Sequence, residues 1–178
     1  NVQMFISSDG FVLLRGRDSK GNLAARKLAA PHDIWLHAEN GPGSHVIIRR
    51  AHGGQEVPPR TLDEAGALAA CKSWQRDAAR ARIQYAEVRH VKPMRNAPAG
   101  TVRIDKSLPS REVPVDLALE ETLLRTMLGA KEIERAALDE LGGEKTAKAL
   151  RSLEACGLAV RETKLRQRLQ DKSVRMVS

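Results

Sequence analysis

Over roughly the first 114 residues, apolar positions fall in short runs broken by glycine- and proline-rich turns. "QMFISSDGFVLLRG" (3–16) reads as two short strands around the turn Ser8-Asp9-Gly10, which combines short polar side chains with a residue free to take positive φ. Gly21-Asn22 marks a second turn, Leu23 to Ala30 has the look of a short helix, and Pro31 ends it. "DIWLHA" (33–38) and "SHVIIRR" (44–50) are strands joined by a tight "NGPG" loop. Strand alternation sets Ile34 and Leu36 on one face, with Asp33, Trp35 and His37 on the other. In the second strand, Val46 and Ile48 face opposite to His45 and Ile47.

The clearest helix runs from 61 to about 82. Thr61 and Glu64 have capping-box spacing, and Ala65, Leu68, Ala69, Cys71, Ala78 and Ala79 form an apolar side with Trp74 near its edge. Lys72, Arg76 and Arg80 recur every four residues and are expected to share another face. "IQYAEVRHVKPM" and "TVRIDKSL" predict two further strands. From Asp116 the texture turns Leu/Ala/Glu-rich with helical periods, punctuated by Gly129, Gly142-Gly143 and Gly157. Two or three helices and a basic tail are expected there. The pattern predicts an α+β fold: a small, mostly antiparallel sheet packed on one long helix, with a C-terminal helical extension. The expected division is 1–114 and 115–178.

Composition narrows the partners. The chain has 178 residues, 42% of them apolar and 29% charged, enough for a packed core. Aromatics are only 3% (Phe5, Phe11, Trp35, Trp74 and Tyr85), which argues against a broad base-stacking platform. The net charge is +8 and unevenly spread. Residues 1–114 hold 18 Lys/Arg against 11 Asp/Glu, 115–160 hold 6 against 9, and 161–178 hold 6 against 2. A basic front part favours a polyanionic partner, either nucleic acid or an anionic membrane surface. No run of apolar residues is long enough to span a membrane. Cys71 and Cys156 lie far apart with no CxxC spacing, so a disulfide framework or thiolate zinc site is not expected, and a reducing cytoplasm fits. The chain starts at Asn1 rather than Met, as a piece of a longer protein would.

The candidate chemistry is modest. Asp33 and His37 sit about 13 Å apart along a strand at the usual rise, too far to share a metal ion unless the strand bends. No HExxH, HxH, Walker or nucleophile-elbow pattern occurs, so neither metal nor cofactor is expected. An enzyme reading survives only as a hydrolytic or nucleic-acid-processing site built from Asp33, His37 and His45. The alternative is a binding surface. The Gly41–Ser44 loop would offer backbone amides beside His45, and Arg15, Arg17, Lys20, Lys72, Arg76, Arg80, Lys92, Arg95, Arg103 and Lys106 would track phosphates.

Read in order, "SSDGFVLLRGRDSKGN", "DIWLHAENGPGSHVII", "TLDEAGALAACKSW" and "EVRHVKPMRNAPAGTVRIDKS" resemble the NFACT-R domain of NFACT proteins, the ribosome quality-control factors once described as fibronectin/fibrinogen-binding proteins. The similarity covers about residues 4–114 and includes Gly16-Arg17-Asp18, the Asp33-Ile34-Trp35-Leu36-His37 form of a D/E-x-W/Y-x-H motif, and Gly43-Ser44-His45-Val46. It implies an RNA-binding module contacting tRNA or rRNA, with the large ribosomal subunit as a partner. On that basis Asp33, Trp35 and His37 are expected to present one RNA-contacting face, with Ser44 and His45 beside them; Trp35 would stack on a base or sugar if exposed, while burial is the commoner outcome for a single tryptophan on a strand. Residues 115–178 have no counterpart in the resemblance and are expected to pack on the module or bind another protein.

Overall fold

The computed structural model describes residues 1–119. Beyond them it describes four short strands and residues 151, 154 and 155. The described elements are β1 (Val2–Ile6), β2 (Val12–Gly16), α1 (Ser19–Leu28), β3 (Ile34–Ala38), β4 (Val46–Ile48), α2 (Pro59–Cys71), β5 (Arg80–Glu87), β6 (Val91–Pro93), β7 (Val102–Ile104), β8 (Leu108–Pro114), β9 (Leu124–Met127), β10 (Glu132–Glu134), β11 (Ala159–Thr163) and β12 (Lys172–Met176). The fold is α+β. Seven strands form an antiparallel sheet in the order β8-β5-β3-β4-β2-β1-β9, and β6 and β7 make a separate hairpin.

The sheet is covered on both faces. On one, Phe5, Leu13, Ile34, Leu36, Val46, Ile48 and Ile83 pack against Ala65, Leu68 and Ala69 of α2. On the other, Met4, Val12, Leu14, Trp35 and Ile47 pack against Ala25 of α1 and Val91 of β6, with Val102 and Ile104 of β7 alongside. Most residues facing either way in β1 to β4 are therefore apolar, Gln3, Arg15 and His37 being exceptions, which is why these strands read as runs rather than alternations.

Helix α2 is shorter than its spacing predicts. It begins with Pro59 in the first turn, where a missing N–H costs nothing, and ends at Cys71. Ser73 then turns its hydroxyl onto the Ala70 carbonyl at 2.8 Å and forms a β-bridge with Gly43. Lys72, Arg76 and Arg80 consequently share no helix face: Lys72 follows the last turn, Arg76 lies in a turn, and Arg80 opens β5. Nor do Thr61 and Glu64 cap the helix. The Thr61 hydroxyl donates to Asp9 at 2.8 Å and Glu64 accepts from the Ser8 N–H at 2.8 Å, so both tie α2 to the β1–β2 turn. Helix α1 starts earlier than expected, because Asp18 acts as its N-cap and accepts from the Gly21 N–H at 2.7 Å. The C-terminal region departs further. Its described segments are strands, with β9 pairing to β1, and only Leu119, Arg151, Glu154 and Ala155 are helical among the described residues; most of the expected helices lie outside them.

Two residues expected to meet RNA are instead buried parts of this frame. Arg15 is 1% exposed under α2, donating to Gln3 at 2.7 Å and lying over the Phe5 ring. Asp33 is fully buried. Its carboxylate accepts from the Ala30 and Arg50 N–H groups, both at 2.7 Å, and pairs with Arg49 at 2.6 Å. It joins the end of α1, the start of β3 and the end of β4. Asp33→Ala leaves Arg49 and two amides without their partner, and a loss of about 3–5 kcal/mol of stability is expected. Urea denaturation measures it; a loss under about 1 kcal/mol, the scale of a single ordinary hydrogen bond, would show that the carboxylate is dispensable to the fold.

Candidate functional site

The motif side chains gather on the α1 face of the sheet. Trp35 and His37 are alternate residues of β3, so both point that way, and their rings stack at 5.6 Å between centroids. His45 enters from the start of β4 and meets both edge-on, at 5.3 Å from Trp35 and 5.1 Å from His37. Trp35 is fully buried, the commoner of the two outcomes for a single strand tryptophan, so its ring is not free to stack on a base. His37 is half-buried and His45 is 4% exposed.

The loop before β4 is held from two sides. The Asn22 amide of α1 accepts from the His45 N–H at 2.9 Å and donates to the Gly43 carbonyl at 3.3 Å. On the other side the buried Ser44 gives its N–H to the Lys72 carbonyl at 3.0 Å. The amides of Ser44 and His45 are thus engaged within the protein, and the loop is no anion nest at these positions. Two motif glycines have a steric reason. A Cβ at Gly16 would collide with Asn22, and one at Gly43 would stand 2.9 Å from the Ser73 Cβ and 3.4 Å from His37 Nε2.

Both histidines are held neutral. Burial pushes the His45 imidazole down to about 3, and the neighbouring His37 and Arg26 add to the effect. Burial also lowers His37, partly opposed by backbone groups of Gly43 and Ala38. Asp33 is committed to Arg49 and the backbone, so Asp33, His37 and His45 do not act as one acid–base unit. Among the described residues, no cluster of three His, Cys, Asp or Glu side chains is arranged to hold a metal ion.

Unsatisfied polarity collects around this layer. Arg26 Nη1, Trp35 Nε1 and His45 Nδ1 are buried without a hydrogen-bond partner. Arg26 and His45 line a pocket of about 170 Å³ between α1 and the loop joining β6 to β7. The periodicity gave no sign of Arg26 or Asn22, because their significance lies in a meeting of α1 with loops far from it in sequence. Trp74, read as the edge of a helix, is 55% exposed and donates its indole N–H to the Glu39 carbonyl at 2.8 Å.

The expected basic surface divides in two. Arg76 pairs with Asp77 and Arg80 with Glu112, each at 3.6 Å. The same side carries the pairs Arg82–Glu39 and Arg111–Asp63. On the α1 and β6–β7 side, Arg17, Lys20, Lys27, Lys92, Arg95 and Lys106 are exposed, and no described acidic side chain pairs with them. Arg103, opposite Lys92 in the hairpin register, is occupied by Asp105 at 3.0 Å.

This combination, a two-faced antiparallel sheet with an unneutralised cationic flank, is that of a compact binding module. The sequence profile of the NFACT protein RNA binding domain matches residues 1–106, and the chain belongs to that family. It is 34% identical over 105 residues to the Rqc2 homolog RqcH of Bacillus subtilis, covering 58% of this chain and 18% of that protein. It is 37% identical over 70 residues to the ribosome quality control complex subunit NEMF of Homo sapiens, covering 39% of this chain and 6% of that protein. The chain thus spans under a fifth of these relatives. In fold it is similar to the C-terminal part of the fibronectin/fibrinogen-binding protein of Streptococcus suis, with a TM-score of 0.63, 21% identity, and coverage of 69% of this chain and 49% of that one.

The neutral histidines give a pH signature. Their folded-state pKa values lie below the unfolded value of about 6.5, so the unfolded chain binds more protons between the two, and stability falls as pH drops from about 6.5 toward 3. Between about pH 6.5 and 5, above most carboxylate titration, the melting temperature is expected to decline, and His45→Gln should flatten that decline. An equal slope in the variant would place the effect elsewhere.

Proposed function

We propose that this chain is the RNA-contacting module of a ribosome quality-control factor, acting in the cytoplasm on tRNA or on rRNA of the large ribosomal subunit. The observation that carries this reading is the asymmetry of its ion pairing. Among the described residues, cations on the α2, β5 and β8 side are largely matched by carboxylates, whereas on the α1 and β6–β7 side all of those named above but Arg103 are not. Unmatched surface cations hold small anions loosely, and a phosphate backbone can replace them with release of its own counterions. Membership of an RNA-binding domain family and similarity to proteins named for ribosome quality control support the same reading. The RNA face then lies on α1 and the β6–β7 hairpin, with Arg17, Lys92 and Lys106 among the expected contacts. Lys72, Arg76 and Arg80 fall outside it.

Anisotropy titrations with tRNA over a salt series test this. Replacing Lys20, Lys27, Lys92 and Arg95 with Gln should weaken binding and lower the salt slope by about three, at ~0.7–0.9 for each of four phosphates no longer neutralised. Replacing Lys72, Arg76 and Arg80 with Gln should leave the slope nearly unchanged. The opposite ranking would move the interface to the α2 side, and salt-independent or absent binding would end the RNA reading.

A further inference from the structure

The pocket between α1 and the β6–β7 loop is set apart from the exposed cations by its lining. Its floor holds Asn22, Arg26 and His45, and its wall is apolar, with Pro93, Met94 and Val102. No acidic residue lines it. Arg26 is partly buried, and its guanidinium is desolvated with no carboxylate partner among the described residues. His45 is 4% exposed, and its Nδ1 has nothing to bond to. A desolvated cation and an unpartnered ring nitrogen each carry an energetic cost that an acceptor-bearing ligand would relieve.

Size and chemistry narrow that ligand. At about 170 Å³ the pocket is smaller than the ~300–1,000 Å³ of sites for drug-sized molecules, so it holds one ring system at most. A lone phosphate would leave the proline- and methionine-lined wall unused. A flat heteroaromatic ring would fill it, and its carbonyl and ring-nitrogen acceptors suit Arg26, which only donates. His45 is neutral, so Nδ1 can donate or accept according to tautomer, as a base edge requires and a phosphate does not. Lys20 of α1 and Arg95 of the β6–β7 loop are exposed on the two elements that form the pocket, and Arg17 is exposed just before α1, which suits the surroundings to a longer polyanion.

We propose that this pocket takes one unpaired nucleotide of the bound RNA, its base against the apolar wall and its hydrogen-bonding edge on Arg26 and His45. The proposal rests on the RNA-binding reading above. Paired nucleotides cannot enter, because both faces and the pairing edge of a base in a duplex are already occupied. The site would therefore distinguish RNA with a free end or an extruded base from blunt duplex.

The test uses the full chain with two RNA probes: a blunt-ended duplex of two annealed strands, and the same duplex bearing a short single-stranded 3′ overhang. The wild type is expected to favour the overhang by about tenfold, the scale of one stacked and hydrogen-bonded base. Arg26→Gln should reduce that preference to near unity without changing blunt-duplex affinity or its salt slope. Ala97→Trp, which blocks the mouth from the β6–β7 loop, should do the same by a route independent of the floor. Thermal melts confirm folding; removing a partly buried cation that no described acidic side chain pairs with should not lower the melting temperature. Equal wild-type affinity for the two probes overturns the pocket proposal while leaving the RNA surface standing, as does a preference that survives both variants. Failure to bind either probe overturns both readings.

Discussion

A single buried carboxylate fixes much of this structure. The sheet is covered on both faces, so any charge placed within it must find its partners inside the protein. Asp33 does so by drawing on Arg49 and the amides of Ala30 and Arg50, which lie on either side of β3 in the chain. The arrangement sets where α1 ends relative to β3 and β4. Asn22 then fastens the other half of α1 to the loop before β4. With α1 pinned at both places, its inner face can bury Ala25 on the sheet while Asn22, Leu23 and Arg26 border the β6–β7 loop. The pocket is a consequence of that double attachment.

The same logic separates cations by role. Arg15, Arg49 and Arg50 are arginines within or beside the core, and each is engaged by carbonyls or carboxylates in fixed geometry. Arginine suits such positions because its planar fork bonds several acceptors at once and stays charged. The exposed, unmatched cations on the α1 side include Lys20, Lys27, Lys92 and Lys106, whose compact charge on a flexible stem suits contact with a phosphate backbone. Net charge alone does not reveal this division.

The architecture was largely legible in the sequence. Strand runs, turn residues and the apolar face of α2 all come from local chemistry, and alternation correctly set Trp35 and His37 on one face and Ile34 and Leu36 on the other. What was not legible depended on the second layer. Alternation says which residues share a face but not whether that face meets water, and here α1 and the hairpin close over Trp35 and most of His45. The four-residue spacing of Lys72, Arg76 and Arg80 was sound helical arithmetic, but it extended past a helix that stops at Cys71, where Ser73 is drawn to the Gly43 loop. Arg15 looked like a surface cation because a β2 residue gives no sign that α2 lies above it. Residues 115–178 read as helical from Leu, Ala and Glu content, and the described segments there are mostly extended instead.

The motif therefore divides into a part that builds and a part that is left over. Asp33, Trp35 and Gly43 are accounted for by burial, ion pairing and close approach of backbone to side chain. His45 is not. A residue serving only to fill that position could be apolar, as Ile47 two residues on is. An imidazole with an unbonded ring nitrogen, buried within electrostatic reach of an arginine that no described carboxylate pairs with, costs stability in the isolated chain. Such local conflict, within a core whose other polar groups are nearly all satisfied, is what a binding site looks like before its ligand arrives. The conflict is concentrated on one side of the sheet, the side where the surface cations also lack partners. Buried and exposed electrostatics thus agree on a single face, and a ligand bearing both a phosphate chain and a heterocyclic edge would relieve both.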